Sequence, residues 1–370
     1  MSYKLHSFNV NGIRAIGKKG FWEWLETAQP DILAVQEIKA DDEIMRGLLS
    51  GHPNIELTLL DNQISDPSVN SSASHKPQLL ALGSKLESKE ILRYAQDDGG
   101  RVQGDTVERI PTLSPFDDHE AEGLPSKARN DKNNSKLNYH LFWHACSMKK
   151  GYSGTAIFFK PELFKNVEIF TGLGNPKFDV EGRITGLKTE HFTLINGYYP
   201  QGGREGRVPY KLEFYQELHD LVQRLENNGE KVILCGDFNT TLQDIDLARP
   251  KENRKTTGCL PEERVAFSWI LKPEHFDASQ LQVTNPEFAD LDQKQISSLG
   301  FIDTFRHFFP DLKDKYSYWD QITRARERNV GWRIDYFNIS PKLLPNLKSA
   351  QILDQVTGSD HCPVEIELEF

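Results

Sequence analysis

Gly358-Ser359-Asp360-His361-Cys362-Pro363 runs straight into Val364-Glu365-Ile366-Glu367-Leu368-Glu369-Phe370, where apolar and acidic residues alternate with period two. Successive side chains of a strand point to opposite faces, so this alternation is the pattern of a half-buried strand. Asp360 and His361 therefore stand at a strand's mouth. A carboxylate there can hold a divalent cation through oxygen, and a neutral imidazole can take a proton from water, a pairing that suits metal-assisted hydrolysis. An adjacent Asp-His is by itself more often a loop hydrogen-bond pair. The reading gains weight because other carboxylates and amides also fall at expected strand ends.

Upstream, Lys231-Val232-Ile233-Leu234-Cys235 is a buried strand that delivers Gly236-Asp237-Phe238-Asn239. Asp237 and Asn239, two apart at a strand end, point the same way and can address one metal ion or water from two oxygens. The preceding helix, residues 210–226, carries Leu212, Tyr215, Leu218, Leu221 and Leu225 on one face and ends at Asn227-Asn228-Gly229. At the other end of the chain, residues 4–10 read as a strand, Phe21-Trp22-Glu23-Trp24-Leu25 as a helix stopped by Pro30, and residues 31–37 as a second strand. Asn9 and Glu37 then lie at the carboxyl ends of neighbouring strands, where α/β sheets place ligands.

Residues 183–188 and 191–200 form an expected hairpin whose exit, Tyr198-Tyr199-Pro200-Gln201-Gly202-Gly203-Arg204, sets a Tyr and an Arg on a Gly-rich turn. Both side chains can donate to phosphate oxygens. Pro261-Glu262-Glu263-Arg264 opens one helix, and residues 301–306 are read as part of another. Tyr316-Ser317-Tyr318-Trp319 is an aromatic run, and the basic cluster Arg324-Ala325-Arg326-Glu327-Arg328 adjoins residues 329–337. Arginines interleaved with aromatics suit a nucleic-acid backbone and an extruded sugar. Asp335, inside an apolar strand, needs a partner, and His361 is the expected one.

With 370 residues and 38% apolar content the chain can bury a large core. It has no apolar run of membrane-spanning length and no basic-then-apolar leader pattern, so a cytoplasmic protein without membrane attachment is expected. Its four cysteines show no CxxC spacing, which gives neither a zinc knuckle nor a disulfide framework. The net charge of −10 argues against nucleic-acid binding through bulk positive potential. Residues 61–138 break the pattern with a polar tract at 68–74, several prolines and no sustained amphipathic period beyond a helical fragment at 79–93. They read as a flexible insertion in a single domain spanning 1–370, and deleting about residues 65–135 and closing with a short linker is expected to leave fold and activity intact.

Residues 8–14, Gln36-Glu37, Tyr152-Ser153-Gly154, Tyr198-Tyr199-Pro200, Gly236-Asp237-Phe238-Asn239, residues 329–337 and residues 358–363 together resemble the ordered motif series of the exonuclease III family of abasic-site endonucleases. The resemblance spans nearly the whole chain outside the insertion. It implies a four-layer α/β sandwich of the deoxyribonuclease I type, two packed sheets flanked by helices. It also implies Mg²⁺-dependent hydrolysis, with Mn²⁺ substituting, of the phosphodiester 5′ to an abasic site in double-stranded DNA by a monomer. Side activities as a 3′-to-5′ exonuclease or 3′-phosphodiesterase come with it. Carried onto this sequence, the metal set is Asn9, Glu37, Asp237, Asn239, Asp360 and His361, and the catalytic set is Tyr198, Asp237, Asn239, Asp335 and His361. Asn11, Arg14, Gln201, Arg204, Tyr318 and Trp332 would contact substrate. Whether Asp237 or His361 is the base stays open at this level, and Ile322-Thr323 departs from the family where a strand-penetrating loop varies. Two other readings on the same fold are a catalytically silent RNA-binding regulator, which would have lost some of the acid-base residues present here, and a lipid or inositol phosphatase.

Overall fold

All five side chains of Ile32-Leu33-Ala34-Val35-Gln36 are buried, but they alternate between two cores. Ile32 and Ala34 join the apolar cluster enclosed between two sheets, and Leu33 and Val35 join one covered by helices. A strand covered on both faces reads as an unbroken apolar run for this reason. The computed structural model describes residues 1–48, 53–60, 136–271 and 298–370.

In chain order, β1 (Ser2–Asn9), β2 (Ile32–Gln36), β3 (Ile55–Leu59), β4 (Leu137–His144) and β5 (Thr155–Phe159) enter the first sheet. Strands β6 (Glu168–Thr171), β7 (Ile184–Lys188), β8 (Thr193–Tyr198), β9 (Val232–Asp237), β10 (Ile302–Asp303) and β11 (Asp335–Ile339) build the second, and β12 (Leu347–Ile352) and β13 (Val364–Glu369) return to the first. The first sheet has the order β12-β13-β1-β2-β5-β4-β3 and the second β10-β11-β9-β8-β7-β6.

The sheets meet through Leu5, Phe142, Ile157 and Ile366 on one side and Leu187, Leu194, Ile233 and Phe337 on the other. Helices Ile13–Gly17, Phe21–Ala28 and Asp42–Gly47 cover the outer face of the first sheet. Helices Arg207–Asn227 and Pro261–Ser268 cover the second. The result is the four-layer α/β sandwich expected from the motif series. No described helix is long and apolar enough to cross a membrane.

The expected hairpin is β7 paired antiparallel with β8, and the expected helix at 210–226 runs over Arg207–Asn227. Residues 301–306 are not one helix. Ile302–Asp303 pairs with β11 as β10, and the Asp303 carboxylate accepts the Arg306 N–H, capping a helix that begins at Thr304.

Of the expected insertion, residues 61–135 and with them the helical fragment at 79–93 lie outside the described residues. Leu137 and Asn138, which the expected insertion included, belong to β4. Strands β3 and β4 are parallel neighbours, with Ile55 beside Leu137 and Leu59 beside Leu141. Parallel pairing sets a minimum length for any connection that replaces the insertion, since chain leaving the far end of β3 must return along its full length to start β4.

Candidate active site

Parallel pairing of β1 with β2 and of β8 with β9 aligns their carboxyl ends, and the antiparallel partners β13 and β11 begin at the same end. Every catalytic candidate sits there. Asn9 closes β1, Glu37 follows β2, Tyr198 closes β8 and Asp237 closes β9. Asp335 opens β11 directly opposite Asp237, and Asp360-His361 leads into β13. The site therefore straddles the seam between the sheets. Asn11, Glu37, Lys39, Ser153 and Asn239 all adopt positive φ, between 47° and 53°. Non-glycine residues held in the left-handed region cluster at sites where tight turns aim side chains. Gly236, at φ 128°, permits the close β8–β9 approach; a Cβ there would stand 1.9 Å from the Gly197 carbonyl oxygen.

Asn9 joins the two halves of the site. Its Nδ2 donates to Asp237 Oδ2 at 2.9 Å and to Glu37 Oε1 at 3.2 Å, while its Oδ1 accepts the Asn11 N–H at 3.0 Å. On one side Asn11 Nδ2 donates to both Asp360 oxygens, at 2.9 and 3.0 Å. Lys39 Nζ lies 2.6 Å from Glu37 Oε2 and 2.5 Å from Asn11 Oδ1. On the other side Asp237 accepts the Asn239 N–H at 2.8 Å, and Asn239 Nδ2 donates to the Tyr199 carbonyl at 2.8 Å. His361 Nδ1 meets Asp335 Oδ2 at 2.8 Å, which leaves Nε2 on the side of Asp237, 3.9 Å away. The six residues expected around a metal thus divide into a Glu37–Asp360 half and an Asp237–Asn239–His361 half.

Burial disfavours the charge on His361, but Asp335, with Asp237 and Asp360 behind it, prevails and raises its pKa to about 10. Burial pushes Asp237 up to about 7, with Asp335 and Glu37 adding to the rise and His361 opposing it. Burial also works against Glu37, yet Lys39, the Tyr198 hydroxyl and His361 hold it below the usual carboxylate range. Burial, then Glu37, lifts Tyr198 well above an ordinary phenol, so it stays a hydrogen-bond donor.

Of the expected substrate contacts, Tyr318 and Trp332 are brought together by two 2.9 Å backbone hydrogen bonds. The Tyr318 ring lies 4.9 Å from that of His361, and Gly258 lies beneath Trp332, with space for a Cβ only 3.3 Å from its ring. Asn11 and Arg14 line a cleft of about 650 Å³ together with Lys18, Trp22 and Lys39. Gln201 is exposed and Arg204 half-buried on the turn after β8.

Three participants escaped the sequence reading. Lys39 was signalled only by its spacing from Glu37. Arg183 stacks its guanidinium 4.8 Å from the Tyr198 ring centre and donates to the Tyr198 carbonyl and the Tyr152 hydroxyl. Ser317 Oγ accepts the Asp335 N–H at 3.0 Å. Neither of the last two has a local sequence signal.

Residues 6–361 match the endonuclease/exonuclease/phosphatase family. The chain belongs to that family. Over 229 residues it is 38% identical to an exodeoxyribonuclease of Bacillus subtilis, covering 62% of this chain and 79% of that one. It is 34% identical to the DNA repair nuclease APEX1 of Danio rerio over 62% of this chain and 64% of the relative. A crystal structure of the AP endonuclease LMAP from Leishmania major superposes with a TM-score of 0.62 at 20% identity, covering all of this chain and 88% of the other, which supports the shared fold. The protein is a hydrolytic nuclease of the exonuclease III type, and DNA is its substrate.

The family is metal-dependent, and the donor set here fits a hard cation. Among the described residues no three His, Cys, Asp or Glu side chains converge as a closed metal cage. Glu37 and Asn11 nevertheless already hold a cationic group, the Lys39 ammonium, through oxygen alone, and Asp360 adjoins them through Asn11. One or two carboxylates with water and substrate phosphate completing the shell is the usual environment of Mg²⁺.

Proposed function

We propose that this nuclease is an abasic-site endonuclease that hydrolyses the phosphodiester 5′ to the lesion in duplex DNA, acts as a monomer and uses Mg²⁺, with Mn²⁺ as a substitute. The observation that carries the reading is Tyr318, whose ring lies 4.9 Å from that of His361 and whose backbone is bridged to Trp332. An abasic nucleotide lacks base stacking, so extruding it costs a few kcal/mol less than flipping an intact one. A bare sugar needs less room beside these aromatics than a nucleotide that keeps its base, so steric exclusion of the base would favour the abasic site. Ile322, 93% exposed, is presented by a turn in which Asp320 accepts the N–H groups of Ile322 and Thr323. Apolar wedges of this kind enter between base steps and unstack them.

Tyr198 donates from its un-ionised phenol to a phosphate oxygen. His361, held as an imidazolium by Asp335, faces the same phosphate as a second donor. Asp237, with its pKa near neutrality, takes the proton from the attacking water, and Asn239 fixes the orientation of that carboxylate through its backbone N–H. A divalent cation held by Glu37 and Asp360, with Asn9 and Asn11 beside them, would supply charge neutralisation at the phosphate and a lowered water pKa. Asn11, Arg14, Lys18 and Lys39 along the adjacent cleft offer donors to the flanking backbone.

The test is incubation with a duplex carrying one abasic analogue, in EDTA and then with Mg²⁺ restored. Single-site incision 5′ to the analogue only with Mg²⁺ is expected. Full incision in EDTA removes the metal assignment. Resistance of the analogue while intact duplex ends are degraded removes the abasic one.

A further inference from the structure

Glu37 and Tyr198 belong to different sheets, so their separation is an inter-sheet distance. Hydrogen-bond ladders fix spacing within a sheet, but contact between sheets is mostly apolar and therefore non-directional. That apolar contact is interrupted directly beneath the site. Gln36 and Asn196, neither with any exposed surface, meet across the gap. Gln36 Nε2 donates to Asn196 Oδ1 at 2.7 Å and to Ser7 Oγ at 3.0 Å. Asn196 Nδ2 reaches the carbonyls of Val35 and Ala156 and the hydroxyl of Thr185, each at 3.0 Å. Val35 and Ala156 are cross-strand partners on β2 and β5. One amide on β8 thus grips its neighbour β7 and two strands of the opposite sheet.

Cohesion alone does not account for this network. Amides are costly to bury, and Gln36 Oε1 is buried without a hydrogen-bond partner among the described residues. Position does account for it. Gln36 immediately precedes Glu37, and Asn196 precedes Tyr198 by two residues on the same face of β8.

We propose that the Gln36–Asn196 pair is a positioning device that fixes the register of the two sheets so that Glu37 and Tyr198 stand at catalytic separation. This rests on the roles given to those two residues above. Asn196→Leu and Gln36→Met replace each amide by an apolar side chain of similar size. Both variants are expected to fold, with kcat on abasic duplex lowered about 10- to 100-fold, the scale of a roughly 1 Å misplacement, while KM changes less than about twofold. In a Tyr198→Phe background the Asn196→Leu loss is expected to shrink, because two changes acting through one contact are not additive. Amide hydrogen exchange, which needs no substrate, is expected to rise at residues 37–39 and 198–203 while strand interiors stay protected. Unchanged kcat and exchange in a folded variant, or full additivity with Tyr198→Phe, overturns the proposal. Failure of both single variants to fold also overturns it, since the pair would then be holding the core together. A wild-type protein inactive on abasic DNA would sink the functional reading but leave the exchange test standing.

Discussion

At the scale of single residues, the choice of base turns on which buried group can lose a proton near neutrality. His361 faces carboxylates from three directions, Asp335, Asp237 and Asp360, and its pKa near 10 keeps it charged through the physiological range. A charged imidazolium cannot accept a proton. Asp237, raised to about 7 by burial, can. Incision should therefore rise with pH as Asp237 ionises, level off, and fall again as His361 deprotonates at alkaline pH. A bound divalent cation moves both limbs downward, because its positive charge favours the ionised carboxylate and the neutral imidazole. Asp237→Asn and His361→Ala are each expected to lose at least about 100-fold in single-turnover rate, the scale of a missing acid-base group. If His361 were the base, His361→Ala would abolish the acid limb; the assignment above requires that limb to survive and the alkaline one to vanish.

At the scale of elements, the segment that carries Trp332 is anchored by charge. Arg333, next to Trp332, is almost wholly buried and pairs with Asp246 at 2.8 Å and Asp303 at 2.7 Å, while Arg306 also pairs with Asp246 at 2.6 Å. These bonds tie the Trp332 segment to the turn at 243–247 and to the end of β10. Trp332 stands on a fixed floor, and discrimination by steric fit becomes possible. Trp332→Ala should therefore raise cleavage at intact sites relative to abasic ones, with the abasic rate itself much less affected. Paired single-turnover assays on the two duplexes decide it, and an unchanged ratio removes the pocket assignment. The strands and their polar tips were legible because burial on one face imposes a period of two, as in residues 364–370, and burial on both faces an unbroken apolar run, as in residues 32–36. Asp335 could be matched with His361 because a buried acid needs a partner. The Gln36–Asn196 contact and the Arg183 stack on Tyr198 join residues far apart in sequence through inter-sheet packing, and no local pattern encodes that. Residues 301–306 misled because Asp303, as a helix cap, ends a strand and begins a helix within a segment apolar enough for either.

At the scale of the whole molecule, the direction of β3 decides how the chain can be shortened. Residues 61–135 connect two parallel neighbours at the edge of the first sheet, β3 and β4. Antiparallel strands can be closed by a two-residue turn, but parallel ones need a crossover of about a dozen residues or more. Five paired positions, Ile55 to Leu59, set the length that the return path must cover, about 17 Å at roughly 3.3 Å per residue. Beyond that minimum, length is cheap, since each doubling of a flexible loop costs only about 0.6 kcal/mol. Replacing residues 63–133 by about a dozen Gly and Ser residues should therefore keep both the melting temperature and the incision rate close to those of the full chain. Joining Leu60 directly to Lys136 leaves two residues for that path, far too few, and should tear β3 from the edge and expose Leu57 and Leu59, which pack against the helix-covered core. Melting curves and incision assays on the two deletions distinguish the cases. Equal stability of both would show that β3 does not hold its parallel place, and loss of incision in the long-linker form alone would give the replaced residues a part in the reaction.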